Sequence, residues 1–339
     1  MTSLGEWARD AFGLGEGGVT LTVVARGAQG RISLLGVGDR RYALKQPFGT
    51  VDEDDLRREA AHLEHFVRAG IEVPAHVGDP TGRYAVPVPE AFGGGQARIT
   101  RWVEGRAVGT ATDGLATRLG TLLGSLHGAA PSSDEAPSGW YRTMPAAEVW
   151  HDLLVRSEGQ PWVDALSRRL PDLEDHARRV ERVGPPRGRL VVGHRDLHPD
   201  NVLVAPDGSL RAIDWEDAGP TDPHRELAKV LVQWHVDGDD VDEDAVTATV
   251  EAYCTAGGPG RVEALDDFTM VLCSDANFLA GQIRSALDPG LAQEHREPVL
   301  TEIEQSLATY VPTPDALTRV LAAARAATAS TRPATDGQR

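Results

Sequence analysis

The sequence is poor in cysteine, in basic residues and in long apolar runs. Only Cys254 and Cys273 occur in 339 residues, and nothing near them has metal-ligand spacing. A reducing cytosol is the simple expectation, so the chain reads as cytoplasmic. Lys and Arg number 34 against 51 Asp and Glu, a net charge of −17. Nucleic-acid backbones need basic patches, so nucleic acid is not expected as a partner. The acidity is compatible with cationic substrates, although by itself it mostly reports solubility. No apolar run approaches transmembrane length. Met1-Thr2-Ser3-Leu4-Gly5-Glu6 lacks the charged, apolar and cleavable parts of a signal segment, and no membrane partner is expected. No internal repeat and no zinc motif is visible. The length is generous for one core and comfortable for two lobes.

What is present is concentrated in RLVVGHRDLHPDNVLVAPDGSLRAIDWEDAG, residues 189–219. An apolar strand over Leu190 to Val192 runs into the polar loop His194 to Asn201. Val202 to Val204 reads as the next strand, Pro206-Asp207-Gly208 as a turn, and Leu210 to Ile213 as a returning strand that ends on Asp214. This pattern predicts Asp196, Asn201 and Asp214 at one end of the same small sheet. Two carboxylates and an amide oxygen converging there suit a hard cation such as Mg²⁺, which keeps waters and binds substrate phosphates.

HRDLHPDN fits the catalytic-loop pattern of protein kinases letter for letter. Ile213-Asp214-Trp215-Glu216 follows in place of Asp-Phe-Gly. Together these resemble the aminoglycoside phosphotransferase and choline kinase branch of the kinase-like fold, with Arg195 and Asp200 where that branch usually has glycines. The resemblance implies an α/β (α+β) bilobal fold with a small antiparallel-sheet lobe over residues 1–103. A larger, mainly helical catalytic and acceptor-binding lobe is implied over 104–328, and 329–339 reads as a disordered tail. It also implies transfer of the γ-phosphoryl group of ATP or GTP to a hydroxyl, with Asp196 as catalytic base and Asn201 and Asp214 holding Mg²⁺. His194 would brace the loop. His198 would either approach the acceptor or be structural, and Asp200 would be a solvated turn residue.

The first hundred residues add a nucleotide site. Val19 to Val24, Arg31 to Val37 and Tyr42 to Lys45 read as strands. Gly27, Gln29 and Gly30 lie in the first turn; in a kinase-like lobe that turn covers the phosphates, although an ordinary hairpin reads the same way. Tyr42-Ala43-Leu44-Lys45 resembles the kinase strand whose lysine meets the phosphates. A helix over Asp54 to Ala69 carries apolar residues at helical spacing, with Gly70 closing it. Glu59 is the expected ion-pair partner of Lys45, and Glu64 the fallback. Ala97 to Val103 reads as a strand entering the hinge; by resemblance the Arg101 carbonyl and the Val103 N–H face the adenine edge. Trp102 reads as a packing residue.

The remainder reads as helices over Leu115 to His127, Pro145 to Val155, Pro161 to Val183 with an interruption at Pro171, and a segment opening at Asp222. Further helices are expected over Val241 to Ala256, Glu263 to Leu287, Pro289 to Tyr310 and Pro314 to Thr328. Few residues separate Asp214 from the helix after Asp222, and no Ala-Pro-Glu anchor occurs. A small-molecule kinase fits this better than a regulated protein kinase. The leading acceptor is an amino-sugar antibiotic or another hydroxylated metabolite. The alternatives are a Ser/Thr-hydroxyl kinase acting on a peptide natural product, a sugar kinase and, ranked lower, a nucleotide-binding pseudokinase scaffold. The acidic run Asp237 to Asp244 reads either as a loop that caps the next helix or as an attractor for a cationic acceptor.

Overall fold

A computed structural model describes residues 3–27, 30–109 and 113–331. The chain divides into two compact units, Met1–Val108 with Asp200–Ala218, and Gly109–Pro199 with Gly219–Arg339. Helix α1 (Leu4–Ala11) opens the first unit, where the side chains of Ser3 and Glu6 cap the helix reciprocally. Strands β1 (Val19–Gly27), β2 (Gly30–Val37) and β3 (Arg40–Pro47) form an antiparallel meander. Helix α2 (Glu53–Arg68) starts at Asp52, whose carboxylate accepts the Asp54 N–H, and buries Leu56, Ala60, Leu63 and Phe66. Gly70 then turns the chain with φ of 81°. Short strands β4 (His76–Val77) and β5 (Val86–Pro87) both pair with β6 (Gln96–Arg101), giving the order β1-β2-β3-β6-β4. Leu35, Val37, Leu44 and Ile99 meet Ala8, Phe12 and Leu14 in the core under this sheet. Strand β7 (Arg106–Ala107) follows.

The second unit is helical. It runs through α3 (Leu115–Ala129), α4 (Ala147–Arg156) and α5 (Val163–Glu181). Pro171 does not interrupt α5: Leu166, Leu173, His176 and Ala177 stay buried along one face, so packing holds the helix across the missing N–H. Strand β8 (Val191–Gly193) leads into the polar loop. Strands β9 (Val202–Val204) and β10 (Leu210–Ala212) then form a hairpin in the first unit, where β9 also pairs with β7. The expectation of one small sheet fails here. Strand β8 pairs instead with β11 (Gly219–Thr221), so the strand before the loop and the hairpin after it belong to different sheets. Three-residue strands carry too little pattern to choose a partner, and the chain that returns at β11 offers β8 a better one.

Helix α6 (Pro223–His235) starts at Asp222, whose carboxylate accepts the His224 N–H. Strands β12 (Val236–Asp237) and β13 (Asp240–Val241) make a small hairpin within the acidic run. Asp242 then caps α7 (Glu243–Thr255) by accepting the Ala245 N–H at 2.9 Å. Helices α8 (Thr269–Ala286) and α9 (Gln293–Gln305) follow, and α10 (Pro314–Ser330) runs two residues beyond Thr328. The rest of the expected tail, 332–339, lies outside the described residues. Trp150, Leu166, Leu173, Leu279 and Ile283 lie at the centre of the core shared by α4, α5, α8 and α9. Among the described residues no helix is long and apolar enough to cross a membrane.

Candidate active site

Hairpin β9–β10 brings Asn201 and Asp214 together at its open end. Val202 opposes Ala212, and the ladder continues one step as the Ile213 N–H donates to the Asn201 carbonyl at 2.9 Å. Asn201 is therefore opposite Ile213, and Asp214 is the next residue. Its φ of 62° turns the chain away from the strand, a conformation that Asp tolerates better than most residues. Trp215 fixes the turn: it is buried, donates its indole N–H to the Ala212 carbonyl at 3.2 Å, and packs on Phe66 of α2 with ring centroids 4.9 Å apart. One amide oxygen and one half-exposed carboxylate are hard donors of the type Mg²⁺ accepts. Among the described residues no group of three or more His, Cys, Asp or Glu could hold a metal ion, so a cation here would rely on phosphate and water for its other ligands.

Lys45 comes to the same place from β3. Its ammonium donates to Asp214 at 2.6 Å and to Glu216 at 3.0 Å. Arg98, opposite Lys45 in the β3–β6 register, donates to Glu216 and to Glu59, the latter at 3.4 Å. His76 Nε2 lies 3.0 Å from the other oxygen of Glu59. The expected Lys45–Glu59 pair is thus replaced. Neighbouring strands present two cations to the helix, and the half-buried Glu59 takes Arg98 and His76 while Lys45 takes the carboxylates of the hairpin. Burial pushes the Glu59 carboxyl up, but His76, Arg98 and the more distant Lys45 outweigh that and hold it below the ordinary value. Arg98, His76 and Glu216 were not singled out as site residues in the sequence. The one available signal was an arginine flanked by Ala97 and Ile99 in a strand, where burial demands a partner.

The remaining expected nucleotide contacts are less distinctive. Gly27 and Gly30 are register partners closing β1–β2, and Gln29 between them lies outside the described residues. A Cβ on Gly30 would come within 2.6 Å of the Gln46 carbonyl, so close approach of β3 already requires glycine there. Near the hinge, the Arg101 N–H donates to Ala75 and the Trp102 N–H to Arg41. The Val103 side chain is buried, and its N–H has no hydrogen-bond partner among the described residues.

In the second unit the polar loop is gripped by α6. Glu226, 1% exposed, accepts the Arg195 N–H at 2.6 Å with one oxygen and faces His127 Nε2 at 3.1 Å with the other. Burial raises the Glu226 carboxyl, but the His127 contact and the Arg195 N–H outweigh it and hold the group low. A Cβ on Gly193 would overlap this carboxylate, which explains the glycine just before His194. Arg195 itself has φ of 67°, and that is why glycine is usual here. A side chain in this conformation costs about 1 kcal/mol. The Arg195 guanidinium, stacked 4.8 Å above the Tyr141 ring, offsets some of it.

Asp196 follows. His198 Nε2 is 3.4 Å from Oδ2, and the Lys229 ammonium donates to Oδ1 at 3.4 Å. Burial opposes ionisation of Asp196, but His198, Lys229 and His194 prevail, and the carboxyl stays far below the usual range. Asp196 is therefore a carboxylate at neutral pH: a hydrogen-bond acceptor that can orient a hydroxyl and take up its proton late.

A family model described as "Phosphotransferase enzyme family" matches residues 20–265. Among curated proteins, a thiamine kinase of Salmonella paratyphi B is 34% identical over 115 residues, covering 33% of this chain and 42% of the relative. The matched stretch thus spans less than half of that relative's length. Among solved structures, an amicoumacin kinase in complex with AMP-PNP, Ca²⁺ and Ami aligns over 88% of this chain and 91% of its own, with TM-score 0.59 and 17% identity. A spectinomycin phosphotransferase in complex with ADP and spectinomycin aligns over 91% of this chain and 93% of its own, with TM-score 0.60 and 12% identity. At such identities the structural likeness establishes the kinase-like fold alone.

Proposed function

The chain belongs to the phosphotransferase enzyme family, and on that premise we propose that it moves the γ-phosphoryl group of ATP or GTP to a hydroxyl of a small molecule. The observation that carries this reading is the hairpin end, where Asn201 and Asp214 lie side by side and Lys45 reaches Asp214. A divalent cation, Mg²⁺ by the chemistry of these oxygens, would be held by Asn201 and Asp214 and would neutralise charge on the phosphates. Lys45 binds phosphate oxygens of the nucleotide, while Arg98 and Glu59 keep Glu216 in place beside it. The Val103 N–H, without a protein partner among the described residues, is available to an adenine or guanine edge.

Asp196 orients the acceptor hydroxyl. As the acceptor oxygen bonds to phosphorus and the bond to the β-phosphate oxygen breaks, the hydroxyl proton passes to the Asp196 carboxylate. In a loose phosphoryl-transfer transition state the nucleophile needs positioning more than prior deprotonation. A weakly basic carboxylate therefore suits the task, as do its fixed neighbours His198 and Lys229.

The acceptor reading rests on weaker support. The net charge of −17 and the likeness to an amicoumacin kinase and a spectinomycin phosphotransferase support an amino-sugar antibiotic or a similar hydroxylated metabolite. The thiamine kinase similarity favours a second reading, a cationic vitamin alcohol. A nucleotide-consumption screen over aminoglycosides, nucleoside antibiotics, sugars, thiamine, choline and Ser/Thr peptides tests both. Phosphorylation of one small alcohol is the expected result. Turnover with peptides alone would replace the small-molecule reading.

A further inference from the structure

Helix α6 holds three consecutive residues of the polar loop with three side chains. Glu226 accepts the Arg195 N–H at 2.6 Å. Lys229, one turn on, donates to Asp196 Oδ1 at 3.4 Å. Trp234 donates its indole N–H to the Leu197 carbonyl at 2.7 Å. Only Lys229 touches a carboxylate with a role in the reaction, and it does so from an unusual place. It is 2% exposed, among the apolar residues Leu227, Ala228, Val230 and Leu231 of α6. An ammonium is costly to bury unless it is paired. Asp196, 3.4 Å away, is the carboxylate that pairs it. A residue needed only to fill this space would more simply be leucine or methionine.

We propose that Lys229 is a positioning residue for phosphoryl transfer: its ammonium holds the Asp196 carboxylate through Oδ1, while His198 lies against Oδ2. The proposal rests on the phosphotransferase reading of Asp196 and names what sets that group. The groups acting on Asp196 are His194 and His198 of its own loop, Lys229 of α6 and, through charge, Asp275 of α8. Burial raises the Asp275 carboxyl to about 7 against the pull of Lys229 and of the Ser274 hydroxyl that donates to it, so Asp196 is the full charge that Lys229 pairs at neutral pH.

The test uses the full chain with Lys229→Met and with the double variant Lys229→Met/Asp275→Asn. The double variant removes the Asp275 carboxyl together with the ammonium that acts on it through charge, a second background for the same readout where the single variant folds poorly. The first readout is the titration of the Asp196 carboxyl by carbon NMR, which needs no acceptor. The second is the pH dependence of kcat/KM with the acceptor found by screening. The Asp196 midpoint should rise by about 1–3 pH units in both variants, the effect of removing an adjacent opposite charge. kcat should fall about 10- to 100-fold through lost alignment, with nucleotide KM little changed. Lys229→Arg, which keeps the charge, should restore the low midpoint. An unmoved Asp196 titration in the folded double variant overturns the assignment whether or not transfer is seen. Absence of transfer by the wild-type protein counts against the phosphotransferase reading instead, and the titration still decides the role of Lys229.

Discussion

Lys45, Asp214 and Glu216 form a polar cluster in the first unit, and they carry different burdens. Asp214→Asn should weaken Mg²⁺-dependent nucleotide binding more than Asp196→Asn does, because of these two carboxylates Asp214 is the one proposed to hold the ion. Calorimetry with a non-hydrolysable nucleotide checks this, and equal Mg²⁺ dependence would cancel the division of labour. Lys45→Ala should raise nucleotide KM and also slow turnover, since a charge-assisted contact of this kind is worth about 1.5–3 kcal/mol. Glu59→Gln should act less, because Glu59 reaches the cluster through Arg98 rather than through Lys45. Steady-state kinetics on the two variants separate direct from relayed support. At this scale the sequence singled out residues whose identity is tied to a motif: Lys45, Asp196, Asn201 and Asp214. It concealed those that matter by proximity alone. Arg98 meets Glu59 only because β6 pairs with β3, and Lys229 meets Asp196 only because α6 packs under the loop. Nothing in local spacing announces such contacts.

The acidic run from Asp237 to Asp244 is organised as the end of one element and the start of another. Asp242 caps α7, while Arg319 of α10 binds the Glu243 carboxylate at 2.7 Å and the Asp239 and Val241 carbonyls. These contacts favour capping over attraction of a cationic acceptor. Asp242→Ala should lower stability by about 1 kcal/mol in denaturant melts. Changing Asp239 and Asp240 to Asn should leave acceptor KM unchanged at low salt, where exposed charges act furthest; a raised KM would restore the attraction reading. Most helices were legible because caps and apolar periodicity are local, as in α2 with Asp52 before it and Gly70 after it. Helix α1 passed unnoticed although Ser3 and Glu6 spell its capping box. The pairing of β8 with β11 was not legible, nor was that of β9 with β7, since two- and three-residue strands reveal no partner until the chain has folded.

For the whole molecule, acid should act partly through His235. It is buried, its Nε2 lies 2.8 Å from the Thr249 hydroxyl, and burial lowers it to about 4. The folded state thus keeps His235 neutral while the unfolded chain protonates it near pH 6.5. The unfolded state binds more protons across that interval. The stability associated with a neutral His235 is therefore present above about pH 6.5 and is lost as pH falls toward 4, by on the order of 3 kcal/mol. His235→Gln should flatten the fall of Tm between pH 7 and about 4.5 relative to wild type; parallel curves would remove His235 from the account. The kinase-like fold as a whole was legible because HRDLHPDN and DWE are rigid in spacing, whereas the acceptor was not, because no motif fixes the surface that meets it. The most direct test of the central claim follows the labelled γ-phosphoryl group of ATP in the presence of the acceptor found by screening. The account predicts that the label moves to an acceptor hydroxyl with the wild-type chain, and that Asp196→Asn, still binding nucleotide, slows the transfer by at least about 10²-fold. Transfer at the wild-type rate by Asp196→Asn would contradict it.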